Sequence, residues 1–302
     1  METIDQAQFN FNPTIGLAVL VMVGFLVFAV ALDLTWGQFS RVLKKPKAPG
    51  IGLVAQYVFL PAVAFGVGVL WVGTPSIALG LLLVACCPAG ALSNYLTGVA
   101  RGNVATSVSM TAISTVFSIL LTPLLFGFWA SRNPETAAVL RQIRTDPMRV
   151  VVALLIMLVV PVTVGMCIRA LRPATADNIR TPTRRIAGGV FAVVVATLIL
   201  GNIQLLGNFA REALPPVLVT FGIAVALGWG LAWVSGLPAP DRRAVTLEVA
   251  FQNVALAIGM AVAFFPSLAG VAITAILWGI VHLSVGFAIA VAFRRSSGPH
   301  VA

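Results

Sequence analysis

The stretch PDRRAVTLEVAFQNVALAIGMAVAFF, Pro240–Phe265, decides the fold class. After its two arginines it is mostly apolar over about 20 residues, the length that an α-helix needs to cross a bilayer. Glu248 is the exception, a carboxylate about eight residues into the run. A charged side chain at the centre of a span costs roughly 2.5–3.5 kcal/mol on insertion scales. A cation, a proton or a basic partner must therefore offset the charge of Glu248.

The composition extends this interpretation to the whole chain. Of its 302 residues 59% are hydrophobic and only 9% are charged, and the mean hydropathy is +1.02. Soluble domains contain about 25% charged residues. The net charge of +10 is no sign of a nucleic-acid partner, because the Lys and Arg residues lie in short loops between apolar runs. We therefore predict an all-α polytopic membrane protein with the lipid bilayer around it.

Apolar runs of bilayer-crossing length recur along the chain, and we place nine transmembrane helices. The pair 75–130 is divided at Arg101-Gly102-Asn103. The predicted spans lie at about 13–33, 48–72, 75–100, 103–130, 147–170, 182–206, 213–236, 240–265 and 267–293.

The positive charges set the orientation of these spans. With the N-terminus outside, 14 of the 19 Lys and Arg residues fall on the inner side of the membrane. This bias matches the excess of positive charge in cytoplasmic loops. We predict an N-terminus outside and a C-terminus in the cytoplasm, in the plasma (inner) membrane. The five outer residues are Arg132, Arg141, Arg144, Arg149 and Arg211.

The order of the spans indicates an inverted repeat. Spans one to four resemble spans six to nine, and amides interrupt the third member of each set at Ser93-Asn94 and Gln252-Asn253. Corresponding members are five spans apart, an odd offset that reverses their orientation. Inverted repeats with broken helices near the midplane are typical of transporters. Two unrelated sets of spans are the alternative.

Glu248 is accompanied by other polar residues that the sequence places within the membrane. Since no Lys or Arg is predicted at that depth, a bound cation or a proton remains to offset its charge. Hydroxyl and amide oxygens suit an alkali or alkaline-earth ion better than a transition metal. The alternative is that these residues only hold helices together. The other candidates are Gln56, Ser93, Asn94, Ser107, Ser109, Thr111, Thr246, Gln252 and Asn253.

Two spans carry signs of a break. Pro88 and Gly90 lie in the middle of the third span, where together they can interrupt the helix and free its carbonyl groups. A simple proline kink is the alternative. In the eighth span no Pro or Gly precedes Gly259, so only the amide pair Gln252-Asn253 favours a break there.

Two long motifs resemble the bile acid:sodium symporter family. They are CCPAGALSNYLTGVARGNVATSVSMTAISTVFSILLTPL, Cys86–Leu124, and EVAFQNVALAIGMA, Glu248–Ala261. Shorter matches at LTWGQF, Leu34–Phe39, and GLVAQYVFLP, Gly52–Pro61, extend the resemblance over nearly the whole chain. It implies a single transport domain over 1–302 with two discontinuous helices that cross. The implied panel helices are about 13–33, 147–170 and 182–206, and the core helices about 48–130 and 213–293.

The resemblance also implies two sodium sites and a substrate site. One sodium site would use Ser93, Asn94, Ser107, Thr111 and Glu248; the other Gln56, Glu248 and Gln252 with the carbonyls of Val249 and Phe251. The substrate would lie near Ala91, Leu92, Asn94, Asn253 and His282. This side departs from the family, because Ala89, Ala91 and Leu92 replace its usual residues there and Val281 and Leu283 flank His282. For His282 itself, a structural hydrogen bond is the alternative.

These features predict a sodium-coupled symporter of an organic anion, bile acid-like or a small carboxylate, that works by alternating access with two Na⁺ per substrate. One alternative is a proton-coupled exporter of the related arsenite-exporter type, with Glu248 as proton carrier and Cys87 as a soft ligand. Another is a non-transporting ligand sensor. We expect no enzyme, since no paired aspartate, HExxH motif or Ser–His arrangement lies at a credible depth. No obligate protein partner is indicated.

Overall fold

A computed structural model of the protein describes residues 4–5, 13–142 and 147–296. This part of the chain is helical throughout, and its one β-bridge joins Ala89 to Gln252. The all-α prediction is thus confirmed for the described residues. The helices are α1 Pro13–Ala31, α2 Trp36–Lys44, α3 Lys47–Leu70, α4 Pro75–Ala85, α5 Ala91–Val99, α6 Val104–Ala130, α7 Pro134–Gln142, α8 Pro147–Leu171, α9 Pro173–Gly201, α10 Ile203–Val234, α11 Ala239–Ala250, α12 Val254–Phe264 and α13 Ala269–Ser296.

Several helices have the length and composition of membrane spans. Among the described residues, α3, α6, α9, α10 and α13 are long and apolar enough to cross a bilayer alone. The end of α1 together with α2 would be a sixth, but a bend of 63° separates them. Shorter apolar helices are α4, α12 and the Leu158–Leu171 part of α8. The chain is therefore a multi-pass membrane protein, while nine crossings stay a prediction.

Two helix boundaries differ from the predicted spans. The span predicted at 182–206 is α9, which begins at Pro173, and the span predicted at 213–236 is α10, which begins at Ile203. Proline fits the first turn of a helix, where its missing N–H loses no hydrogen bond. Hydropathy marked only the apolar part of each helix, because the polar turns outside it are helical too.

The third and eighth predicted spans are each two helices joined by a break. Residues 86–90 separate α4 from α5, so the Pro88–Gly90 segment interrupts the span and is not a simple kink. Residues 251–253 separate α11 from α12. The Gly90 N–H donates to the Phe251 carbonyl at 2.9 Å, and the Asn253 N–H donates to the Pro88 carbonyl at 2.7 Å. The two breaks thus satisfy each other's backbone groups, as a water-free interior requires.

The helices around the breaks pack closely. Helix α10 lies along α11 so tightly that a Cβ on Gly228 would come within 2.9 Å of the Thr246 Cα. Helix α13 packs against α4, α10 and α12, and α1 lies against α8, α9 and α12. Because α1 also packs against α12, a predicted core helix, the division into panel and core stays a prediction.

Two helices contain a π-turn, and each π-turn holds a residue that the sequence singled out. Helix α3 has one at Ala55–Phe59, which includes Gln56, and α13 has one at His282–Gly286. Such turns occur frequently at functional sites. The extra residue of a π-turn rotates the side chains within it relative to those of a regular α-helix. Gln56 and His282 therefore do not follow the helix face that regular α-helical geometry would give them.

Candidate functional site

Glu248 lies in the last turns of α11 and is completely buried. Its Oε1 accepts hydrogen bonds from Ser93 Oγ at 2.6 Å, Ser107 Oγ at 2.5 Å and Thr111 Oγ1 at 2.9 Å. Thr111 Oγ1 is also 3.0 Å from Oε2. Hydroxyl groups from α5 and α6 thus surround a carboxylate supplied by α11.

Asn94, which also lies on α5, completes this group. Its Oδ1 lies 2.8 Å from Ser107 Oγ and 3.2 Å from Thr111 Oγ1. The structure therefore brings together all five residues of the first predicted sodium site. We call Ser93, Asn94, Ser107, Thr111 and Glu248 the carboxylate cluster.

The oxygen atoms of the carboxylate cluster make more close contacts with one another than the hydroxyl hydrogens can turn into hydrogen bonds. Each Ser or Thr hydroxyl holds a single hydrogen to donate. Ser107 Oγ is nevertheless within 2.8 Å of two acceptor oxygens, and Thr111 Oγ1 is within 3.2 Å of three on Asn94 and Glu248. Oxygen lone pairs that lack a hydrogen suit a hard cation, which oxygen ligands bind preferentially. The chemistry of the donor set therefore fits an alkali cation.

A second polar group lies at the crossing of the two breaks. Gln56 Nε2 is 3.3 Å from Gln252 Oε1, and Gln252 Nε2 donates to the Val249 carbonyl at 2.6 Å. Within the described chain, the buried Gln56 Oε1 has no hydrogen-bond partner. A buried acceptor without a partner costs about 1–3 kcal/mol, and a cation beside it would remove that cost. We call Gln56, Val249, Phe251 and Gln252 the crossing group.

The crossing group and the carboxylate cluster share α11 but differ in their contacts. The described hydrogen bonds of Glu248 all go to the hydroxyls of the carboxylate cluster. In the crossing group, the Phe251 carbonyl already accepts the Gly90 N–H. A carbonyl oxygen has a second lone pair, so this bond leaves Phe251 able to bind a cation.

The structure does not bring all the residues expected near the substrate together. Ala91 and Asn94 line a cavity of about 270 Å³ together with Thr111. Leu92 packs against the main hydrophobic cluster. Asn253 is partly exposed, and its Oδ1 accepts the Leu256 N–H at 3.1 Å, which caps the first turn of α12.

His282 lies apart from that cavity, in a buried contact between α13 and α11. Its Nε2 is 2.9 Å from the Ala250 carbonyl and 2.5 Å from Trp278 Nε1. Its ring stacks on Phe251 with the ring centroids 4.8 Å apart. These contacts pack the His282 ring against the end of α11, beside the second break.

The geometry agrees with what the chain is similar to. Residues 20–209 match the model of the sodium bile acid symporter family. The uncharacterized sodium-dependent transporter YocS of Bacillus subtilis (strain 168) is 30% identical over 254 residues, which are 84% of this chain and 76% of that protein.

The chain belongs to the sodium bile acid symporter family. Another similar member is the human hepatic sodium/bile acid cotransporter, 30% identical over 83% of this chain and 74% of that protein. The probable chloroplastic sodium/metabolite cotransporter BASS2 of Oryza sativa subsp. japonica is 30% identical over 78% of this chain, which spans 54% of the rice protein. The resemblance drawn from the two long motifs is thus confirmed, and membership in a family of transporters favours a carrier over an intramembrane enzyme.

In this member of the sodium bile acid symporter family, sequence reasoning missed three residues of the cavity. Asp33, Arg180 and Arg184 line it together with Asn94 and Thr111. The spacing of the two arginines by four residues places them on one helix face, but the sequence identified them only as positive charges on the inner side. The ion pairs that Asp33 makes with both arginines join residues far apart in sequence and have no local signal.

Proposed function

We propose that the chain is a sodium-coupled symporter of an organic anion, bile acid-like or a small carboxylate, that binds two Na⁺ per substrate. The buried carboxylate cluster carries this proposal, since it offers five oxygen-bearing side chains around one negative charge. The similar proteins are described as sodium-dependent or sodium-coupled transporters of bile acids or metabolites, which supports the choice of ion.

The two ions take different parts of the crossing. One Na⁺ binds within the carboxylate cluster, where Glu248 supplies the charge. The other binds the crossing group together with Glu248, which both sites share. It uses the unpartnered Gln56 Oε1 with the carbonyls of Val249 and Phe251. Together, two Na⁺, a monoanionic substrate and the Glu248 carboxylate sum to no net charge. A neutral loaded site avoids the cost of an uncompensated charge within the membrane, which couples the ions to the anion.

Transport follows from alternating exposure of this site. The anion binds beside Asn94 and Asn253, and the α1–α8–α9 group moves against the rest of the protein to open the site to the other side. With Glu248 fixed in the protein, two Na⁺ and a monoanion carry one positive charge inward. The membrane potential then contributes about 2.3 kcal/mol per charge per 100 mV.

A sodium titration of thermal stability tests the proposal. The melting temperature of the purified wild-type protein should increase as NaCl replaces choline chloride, because ligand binding stabilises the folded state. Glu248→Gln removes the charge at nearly constant size and should abolish the sodium response. Thr246→Val is the matched control, because the Thr246 hydroxyl bonds only to Arg242 of its own helix among the described contacts. Full sodium-dependent stabilisation of Glu248→Gln would overturn the assignment.

The exporter alternative lacks support from the described geometry. It needs a thiol that a soft metalloid can reach, but Cys87 is completely buried in the main hydrophobic cluster. A sensor is disfavoured by membership in a transporter family. Metalloid-resistance assays with Cys87→Ala separate the exporter from the symporter.

A further inference from the structure

One cavity connects the carboxylate cluster with a pair of arginines. It has a volume of about 270 Å³ and lies between α5 and α6 on one side and α1 and α9 on the other. Its polar lining includes Asn94 and Thr111 of the carboxylate cluster together with Gln38, Asp33, Arg180 and Arg184. Its apolar lining consists of Val30, Leu34, Ala91, Val108 and Ala112.

The two guanidinium groups are only loosely paired. Arg180 lies 3.6 Å from Asp33 Oδ1, and Arg184 lies 3.5 Å from Asp33 Oδ2. Charge-assisted hydrogen bonds are shorter, about 2.7–2.9 Å. Nearby Arg169 and Asp177 do form such a bond, at 2.9 Å. Asp33 therefore faces two guanidiniums, and Asp177 Oδ1 also lies 3.6 Å from Arg180 Nε. Each guanidinium has a planar fork of N–H donors that a carboxylate can accept from.

A second cavity beside the arginine pair contains a further positively charged side chain, that of Arg185. It measures about 490 Å³ and is lined by Asp33, Arg180 and Arg184 with Thr181 and Arg185. Because the same three side chains line both cavities, the arginine pair stands where the outer cavity meets the inner one. An anion that passes between the two cavities therefore meets these guanidiniums.

We propose that Arg180 and Arg184 form a carboxylate-binding subsite, in which the substrate carboxylate displaces Asp33. This proposal rests on the proposed function and names the substrate class: a small monocarboxylate with a short apolar body. The apolar lining accommodates the body, and the volume matches roughly nine water molecules at about 30 Å³ each.

Asp33 gives the subsite a way to release its ligand. The Asp33 carboxylate and the substrate carboxylate compete for the same guanidiniums, so each departure of substrate restores the ion pairs. By the predicted orientation, Asp33 and both arginines lie on the cytoplasmic side. The subsite therefore acts on the inward-facing half of the cycle, where competition from Asp33 favours delivery over retention.

The experiment uses purified full-length protein in saturating NaCl. Straight-chain carboxylates from propionate to octanoate are compared with their neutral amides by thermal shift. We expect a carboxylate in the series to stabilise the wild type more than its amide does. Arg180→Gln/Arg184→Gln should need a roughly tenfold higher concentration of that carboxylate, since hydrogen bonds to charged groups contribute at least that factor. Asp33→Asn should need less, because it removes the competitor.

Controls separate this subsite from folding and from the ion sites. Arg172→Gln removes an exposed guanidinium near the start of α9 and should bind the carboxylate as the wild type does. The double variant should keep the wild-type sodium response, which demonstrates folding and intact ion sites. Equal carboxylate binding by the double variant and the wild type, or carboxylates no better than amides throughout the series, overturns the subsite alone. A wild type without a sodium response instead overturns the proposed function.

Discussion

The backbone N–H of Asn253 donates to the carbonyl oxygen of Pro88 at 2.7 Å, so the break of one discontinuous helix caps the break of the other. The reciprocal bond runs from Gly90 to Phe251 at 2.9 Å. Ser93 and Asn94 follow the first break by a few residues, and Glu248 precedes the second. The register of the two bonds therefore sets how the ligands from α5 meet the carboxylate from α11.

Gly90→Ala should disturb this register. A Cβ at Gly90 would lie 3.2 Å from the Gln252 carbonyl oxygen and 3.5 Å from the Asn253 Cα, which are backbone atoms that cannot turn aside. Overpacking of this kind costs about 1–3 kcal/mol. We expect a lower melting temperature and a weaker sodium response in detergent.

Gly98→Ala is the matched control for this prediction. It lies in the same helix, α5, and its Cβ would meet only Val104 Cγ2 at an ordinary 3.7 Å. Alanine favours a helix over glycine by about 1 kcal/mol, so Gly98→Ala should melt no lower than the wild type. Equal melting temperatures for the Gly90 variant and the wild type would show that the crossing is not tightly packed.

Thr111→Val should weaken sodium binding without loss of packing. The change keeps the shape of the side chain and removes the hydroxyl that contacts both oxygens of Glu248. Interactions with charged groups are worth about 1.5–3 kcal/mol, so the sodium concentration for half-maximal stabilisation should rise roughly tenfold or more.

Thr115→Val provides the comparison one turn further along α6. Its hydroxyl is also buried but donates to the Thr111 carbonyl of the same helix at 2.7 Å. Its sodium midpoint should stay near that of the wild type. If both variants shift the midpoint alike, the effect belongs to α6 as a whole and not to the carboxylate cluster.

Gln56→Met should separate the two proposed ions. It removes the buried Oε1 that has no partner among the described residues, and also the Nε2 that lies 3.3 Å from Gln252 Oε1. The two effects oppose each other, so stability without sodium should change little. The crossing group would lose its ion, while the carboxylate cluster would keep its own. In sodium-dependent uptake into proteoliposomes, the Hill coefficient for sodium should drop from above unity to unity. An unchanged coefficient would contradict a second ion at Gln56.

The first break was predictable from the sequence, but the second was not. Pro88 and Gly90 are local helix breakers. Residues 251–253 contain neither Pro nor Gly, and their break depends on hydrogen bonds to a segment more than 150 residues away in sequence. Asn253 did offer a local signal, because Asn favours the N-cap that it occupies on α12.

The candidate site was also predictable only in part, where the signal was local in the sequence. Polar residues in apolar spans are expensive, so their presence alone identified Glu248 and its hydroxyl partners as candidates. The arginine subsite escaped because Arg180 and Arg184 lie at a polar helix end, where charge is ordinary. Only the fold brings them into the lining of the same cavity as Asn94.

His282→Phe should lower stability more than it alters ligand binding. Phenylalanine preserves the stacking on Phe251 but removes the Nε2 that accepts from Trp278 Nε1. An unsatisfied buried donor costs about 1–3 kcal/mol, so the melting temperature should fall in sodium-free buffer. The neighbouring Ser284→Ala removes a hydroxyl that bonds to Ile280 of its own helix and should melt like the wild type. A role of His282 in the substrate site predicts the opposite: wild-type melting without ligand, and a loss confined to stabilisation by the substrate anion.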